Sequence, residues 1–177
     1  MMLRSPTQRR REWLILILSA AVVFLADQAA KGLILRTLTV GEIITPLPFL
    51  EDFFRLTLSY NTGAAFGLLP QLGDIFLIIA VGMTVGVILY YRRIPPGYWA
   101  ARIALGMVLG GTLGNALDRL RFGYVVDWVV LRLPGVITNV SNFADHAIVI
   151  GMAILFIVLW RYEERQKQTT DSPKNPS

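Results

Sequence analysis

WLILILSAAVVFLADQAAKGLIL, residues 13–35, is long enough to cross the hydrocarbon core of a bilayer as a helix, for which about 20 apolar residues are needed. It nevertheless carries Asp27 and Lys31, four positions apart and therefore on one helical face. Ionisable groups at membrane depth cost at least a few kcal/mol each on insertion scales, so they need a partner or a task. Asp27 and Lys31 either neutralise one another or face a substrate. The basic residues ahead of this run give it the flanks of a signal peptide, but it is too long and has no evident small-residue cleavage site. It is expected to remain as the first transmembrane helix.

Three further apolar runs, at residues 75–91, 98–117 and 143–160, extend the pattern, and the expected fold is an all-α membrane protein of four transmembrane helices. Composition agrees: 54% of the 177 residues are hydrophobic and 16% charged, against roughly 25% charged in soluble domains. Arg4, Arg9, Arg10 and Arg11 precede the first run, Arg92, Arg93 and Arg102 crowd the second connection, and Arg161, Arg165, Lys167 and Lys174 follow the last run. Cytoplasmic ends attract such residues, which places residues 1–12 and 162–177 inside the cell and the first and third connections outside. The same placement accounts for the net charge of +5 without nucleic acid as a partner. The membrane domain then spans residues 13–161, and the polar tail, residues 162–177, is expected to be disordered.

Both outward connections are rich in β-branched and aromatic residues, FRLTLSYN at 54–61 and VVDWVVLRL at 125–133, and predict a small extracytoplasmic β-sheet. Gly41 to Ile44 is a candidate further strand, and Gly63 to Leu69 a short interfacial turn or helix.

The absence of cysteine excludes disulfides, thiol nucleophiles and thiolate metal sites. With a single histidine, His146, and neither H-E-x-x-H nor G-x-S-x-G, a dedicated zinc site is not expected, and metalloprotease and serine-hydrolase chemistry lose their usual support. His146 adjoins Asp145, but neighbours on a helix point about 100° apart, so it is read as interfacial. The most suggestive acids are Asp127 in VVDWVV and Asp145 in SNFADHAIVIG, neither with an obvious cation beside it in sequence. Two carboxylates meeting in a partly dry site share a proton, giving one acid and one base able to direct water at a peptide carbonyl. Spacing alone leaves their meeting open, since a loop separates them. In GGTLGNALDR, residues 110–119, the glycines allow close helix packing, while Asn115, Asp118 and Arg119 suit either an interfacial ion pair or a site. Asn61 and Asn142 are turn, cap or substrate-binding amides.

Taken together these segments resemble the bacterial lipoprotein signal peptidase family, also called signal peptidase II. The resemblance runs from Asp27 to about Gly151 through DQAAK (27–31), NTGAAF (61–66), GGTLGNALDR (110–119), VDW (126–128) and NFADHAI (142–148), in register. It implies an aspartic endopeptidase of the bacterial inner membrane, with both termini cytoplasmic and four helices beside an extracytoplasmic β-cradle. Such an enzyme removes signal peptides from diacylglyceryl-modified prolipoproteins, cutting before the lipidated cysteine. The resemblance further implies that Asp127 and Asp145 are catalytic, that Asn61, Gly111, Asn115, Arg119, Asn142 and Ala144 line or support the site, and that no cofactor is required. Asp27, Lys31 and Asp118 join the supporting group. Expected partners are lipidated prolipoproteins and membrane lipid, with the chain acting as a monomer. Trp128 and Phe143 depart from the residues common at their positions, which touches local packing only. Three rivals remain. Gly73-Asp74 matches the end of the G-x-G-D motif of another intramembrane aspartyl protease class, but Gln71 breaks it. A small transporter would line a pathway with Asp27, Lys31, Asp118 and Asp145, and an inert assembly factor would pack through Gly110, Gly111 and Gly114.

Overall fold

The computed structural model describes residues 5–63, 72–132 and 139–171. The chain runs α1 (Pro6–Thr37), β1 (Ile43–Ile44), β2 (Phe54–Asn61), α2 (Leu72–Tyr91), α3 (Trp99–Phe122), β3 (Val125–Leu131), β4 (Asn139–Ser141) and α4 (Phe143–Asp171), with a 3-10 turn at Pro48–Leu50. The strands form one antiparallel sheet in the order β1-β2-β3-β4. Of the four crossings expected, three are matched by helices long and apolar enough to span a membrane, Pro6–Thr37, Trp99–Phe122 and Phe143–Gln168; the apolar stretch Ile75–Tyr91 of α2 is shorter.

The helices outrun the apolar runs that announced them. Ser5 caps α1 by accepting the Gln8 N–H at 3.2 Å, and Pro6 stands at its first position, so most of residues 1–12 is helical. α3 continues past Leu117 to Gly123, whose φ of 77° gives the left-handed turn that stops it. The disordered tail expected over residues 162–177 is corrected for residues 162–171 alone, where α4 is helical. Glu163 and Lys167 stand at the favourable i, i+4 spacing, and Tyr162 meets Tyr98 edge-on at 5.2 Å, so polarity here does not mean disorder. Residues 172–177 lie outside the described part, as do residues 64–69 of the expected interfacial turn.

α1 shows how the site is oriented. Leu16, Ala20, Val23, Asp27, Lys31 and Ile34 are buried at steps of three and four, while Leu14, Leu18, Val22, Leu25 and Leu33 are exposed. The apolar face therefore points outward and the charged pair inward, the arrangement a lipid solvent requires. α3 is central, packed against α1, α2 and α4. One core cluster, including Leu16, Val87, Tyr91, Ile94, Leu105 and Leu155, lies where the α2–α3 connection meets α1. The other, Ile34, Leu38, Leu58 and Val126, clamps the sheet onto the end of α1.

Candidate active site

Lys31 is the centre of a buried hub. Its Nζ lies 2.8 Å from Asp27 Oδ2 and 2.8 Å from Asp118 Oδ2, and donates to Asn115 Oδ1 at 2.9 Å. All three charged side chains are at most 2% exposed. The remaining acceptors are filled as well: Asp27 Oδ1 takes the Ala144 N–H at 3.0 Å, and Asp118 takes the Val126 N–H at 3.1 Å and Gln28 Nε2 at 2.9 Å. One cation thus ties α1 to α3, while its carboxylate partners tie β3 and the start of α4 to both. Buried charge is tolerable only when paired and hydrogen-bonded in this way. Close approach makes the geometry possible: a Cβ on Gly111 would stand 2.6 Å from the Ala144 carbonyl oxygen, and one on Gly114 2.5 Å from Asp27 Oδ2.

Above the hub, three asparagines are each fixed by a donor on their oxygen, so that each Nδ2 points at an aspartate. Asn61 Oδ1 accepts the Gly63 N–H at 2.8 Å, an Asx turn helped by the Gly63 φ of 75°, and Nδ2 donates to Asp127 Oδ2 at 2.8 Å. Asn142 precedes α4 and accepts the Asp145 N–H at 2.9 Å, while its own N–H reaches back to Asp145 Oδ2 at 3.3 Å, a reciprocal cap; Nδ2 donates to Asp127 Oδ1 at 2.7 Å. Asn115 is oriented by Lys31 and donates to Asp145 Oδ1 at 2.7 Å. Asn142 therefore bridges Asp127 and Asp145, and Asn115 connects Asp145 to the hub.

Asp127 sits on β3 opposite Ser59, immediately beyond an irregularity that gives β2 one extra residue between Leu56 and Ser59. Such bulges re-aim side chains beside functional sites. Asp127 is 2% exposed, whereas Asp145 is half-buried. Burial pushes the Asp127 carboxyl up to about 6, the Asp145 carboxylate adds to the rise, and the Asn61 and Asn142 amides and the Lys31 charge oppose it.

Asp27, Lys31, Asn61, Gly111, Asn115, Asp118, Arg119, Asn142 and Ala144 therefore gather around Asp127 and Asp145. Two details differ from the expected pairing. Asp118 is neutralised by Lys31, not by Arg119, whose guanidinium lies 4.5 Å over the Phe76 ring and donates to the Asn115 carbonyl at 3.4 Å, within electrostatic reach of Asp145 and Asp127. Gln28, not singled out, bridges Asp27, Asp118 and the Gly114 carbonyl. His146 meets Ser141 Oγ at 3.4 Å. Among the described residues, no three His, Asp or Glu side chains form a set able to hold a metal ion.

Residues 19–161 match the family described as signal peptidase (SPase) II. Lipoprotein signal peptidases of Halothermothrix orenii and Moorella thermoacetica are 40% and 42% identical to this chain, covering 81% and 78% of it and 93% and 88% of their own lengths. Two solved bacterial membrane enzymes, both determined in meso, superpose with TM-scores of 0.73 and 0.74 at 26% and 28% identity; they cover 92% and 81% of this chain and 93% and 91% of their own. The carboxylate pair thus lies in a bacterial membrane protein of the peptidase class, and the chain belongs to the signal peptidase II family.

Proposed function

We propose that this protein is an aspartic endopeptidase that removes signal peptides from diacylglyceryl-modified prolipoproteins, cutting before the lipidated cysteine. The observation that carries this reading is the link from Asp127 through Asn142 to Asp145, one carboxyl buried and raised to about 6, the other half-open. Asp145 acts as the base, taking a proton from water as the water oxygen bonds to the scissile carbonyl carbon. Asp127 enters protonated, hydrogen-bonds the developing oxyanion and supplies the proton that the leaving amine needs. The hub holds the scaffold without touching the substrate. Asn61, Asn115 and Asn142 fix the two carboxyls, and Arg119 and the surrounding backbone position the peptide.

α2 completes four crossings in this reading, with both termini in the cytoplasm and the dyad at the outer face of the bacterial cytoplasmic membrane. The sheet, reached directly from α1 and α3, covers the site on that side. A single chain suffices, neither metal nor cofactor takes part, and the acyl chains of the substrate stay among the helices. Burial of acyl chains beside lipid discriminates little, so contacts at headgroup level and the depth of the dyad set specificity.

The test is cleavage in detergent of a diacylglyceryl prolipoprotein and its unlipidated control, in the presence of chelator, with the product N-terminus read by mass spectrometry. Expected is cutting of the lipidated form alone, at its modified cysteine, with losses of roughly 10²–10⁴-fold for Asp127→Asn and Asp145→Asn. Equal cutting of both substrates, or full activity in either variant, would overturn the reading.

A further inference from the structure

At the opposite end of the bundle lies a cavity of about 490 Å³ between the starts of α1 and α3, within the roughly 300–1,000 Å³ range of small-molecule sites. Arg11 and Gln8 stand on its α1 side, Trp99 and Ile103 on its α3 side, and Ile15 carries its wall towards the membrane interior. The buried pair Arg102 and Glu12, joined at 2.9 Å, closes it. Arg102 is fully buried, donates to the carbonyls of Ile94, Pro95 and Tyr98, and among the described residues its Nε–H has no acceptor. Two arginines against one glutamate leave the cavity with an excess positive charge, and Arg9 and Arg10 add to the field. Most of the lining is nevertheless apolar, and Trp99 is 63% exposed, as an aromatic anchor at a membrane interface is.

We propose that this cavity binds the anionic headgroup of a phospholipid in the leaflet bearing the arginine-rich chain ends. The phosphate pairs with Arg11 at the rim, the Arg102 charge attracts it from the cavity floor, and the chain beneath the headgroup runs along Ile15 and Ile103. A free phosphate would leave the apolar wall unused, which favours an amphiphile. Basic pockets between transmembrane helices on the cytoplasmic side recognise lipid headgroups by this chemistry. The leaflet assignment rests on the orientation given under the proposed function; the binding itself does not.

The test is native mass spectrometry of the delipidated full chain with phosphatidylglycerol, with phosphatidylcholine of the same acyl chains, and with phosphatidylglycerol in excess glycerol phosphate. Phosphatidylglycerol is expected to bind more tightly than phosphatidylcholine. Arg11→Gln should weaken it roughly fivefold, the equivalent of about 1 kcal/mol per basic side chain. Trp99→Leu should weaken it as well, and Arg36→Gln, at the other end of α1, should not. Equal retention of the two lipids, equal loss in Arg11→Gln and Arg36→Gln, or full displacement by glycerol phosphate would each overturn the proposal. Cleavage is assayed separately: a chain that cuts without selecting phosphatidylglycerol overturns only this site, and one that selects it without cutting overturns only the peptidase reading.

Discussion

Two buried charge clusters stand at opposite ends of the bundle and differ in what they are wired to. At one end, Lys31 holds Asp27 and Asp118, and the cluster continues through Asn115 to the half-open Asp145. At the other, Arg102 holds Glu12 and the carbonyls of Ile94, Pro95 and Tyr98. Pro95 and Pro96 interrupt the helical path there, and the buried guanidinium donates to the carbonyls at this turn. Burial of charge alone therefore does not mark the proposed site; connection to a second, accessible carboxyl does.

The contrast is open to breaking. The largest effect is expected from Lys31→Met, which strands two buried carboxylates and should cost about 3–5 kcal/mol, read as a lower unfolding temperature in detergent; a variant as stable as wild type would show that the hub is not held by its charge. Glu12→Gln should cost about 2 kcal/mol by weakening one charge-assisted bond to Arg102. An unchanged unfolding temperature would remove Glu12 from the clamp. The smallest effect, and the one that separates the two ends, concerns pH. Asp127 is raised from the usual 3.8 to about 6, so it binds its proton more tightly folded than unfolded. Its charge then opposes folding above pH 6, and the penalty fades as pH falls towards 4. Asp127→Asn should therefore be more stable than wild type by ~1 kcal/mol at pH 8, after loss of one amide contact, with the advantage gone near pH 4. A pH-independent difference would mean that Asp127 is not raised.

Much of this architecture was legible in the sequence because apolar runs and β-rich connections are local signals. VVDWVV and FRLTLSYN did become the paired central strands. β4, only Asn139–Ser141, is too short to announce itself, and the helix ends extend through polar residues that run length alone cannot assign. In the site, Asp27 and Lys31 were paired by spacing, whereas the third member, Asp118, comes from a different helix and becomes visible only when α1 packs on α3. Gln28 carries no such signal, since it lies about 100° round the helix from Asp27, yet its side chain reaches both acids. Arg102 reads in the sequence as a cytoplasmic anchor; its burial against the Ile94, Pro95 and Tyr98 carbonyls depends on where the chain turns.

The account stands on a dyad that works with one proton between Asp127 and Asp145, and the most direct test is the pH dependence of kcat/KM for a lipidated prolipoprotein in chelator. A bell is expected, with its alkaline limb at or above about 6, because loss of the Asp127 proton removes the acid and the pair titrates as a unit. A rate that climbs through pH 6 and stays high to pH 10 would contradict it.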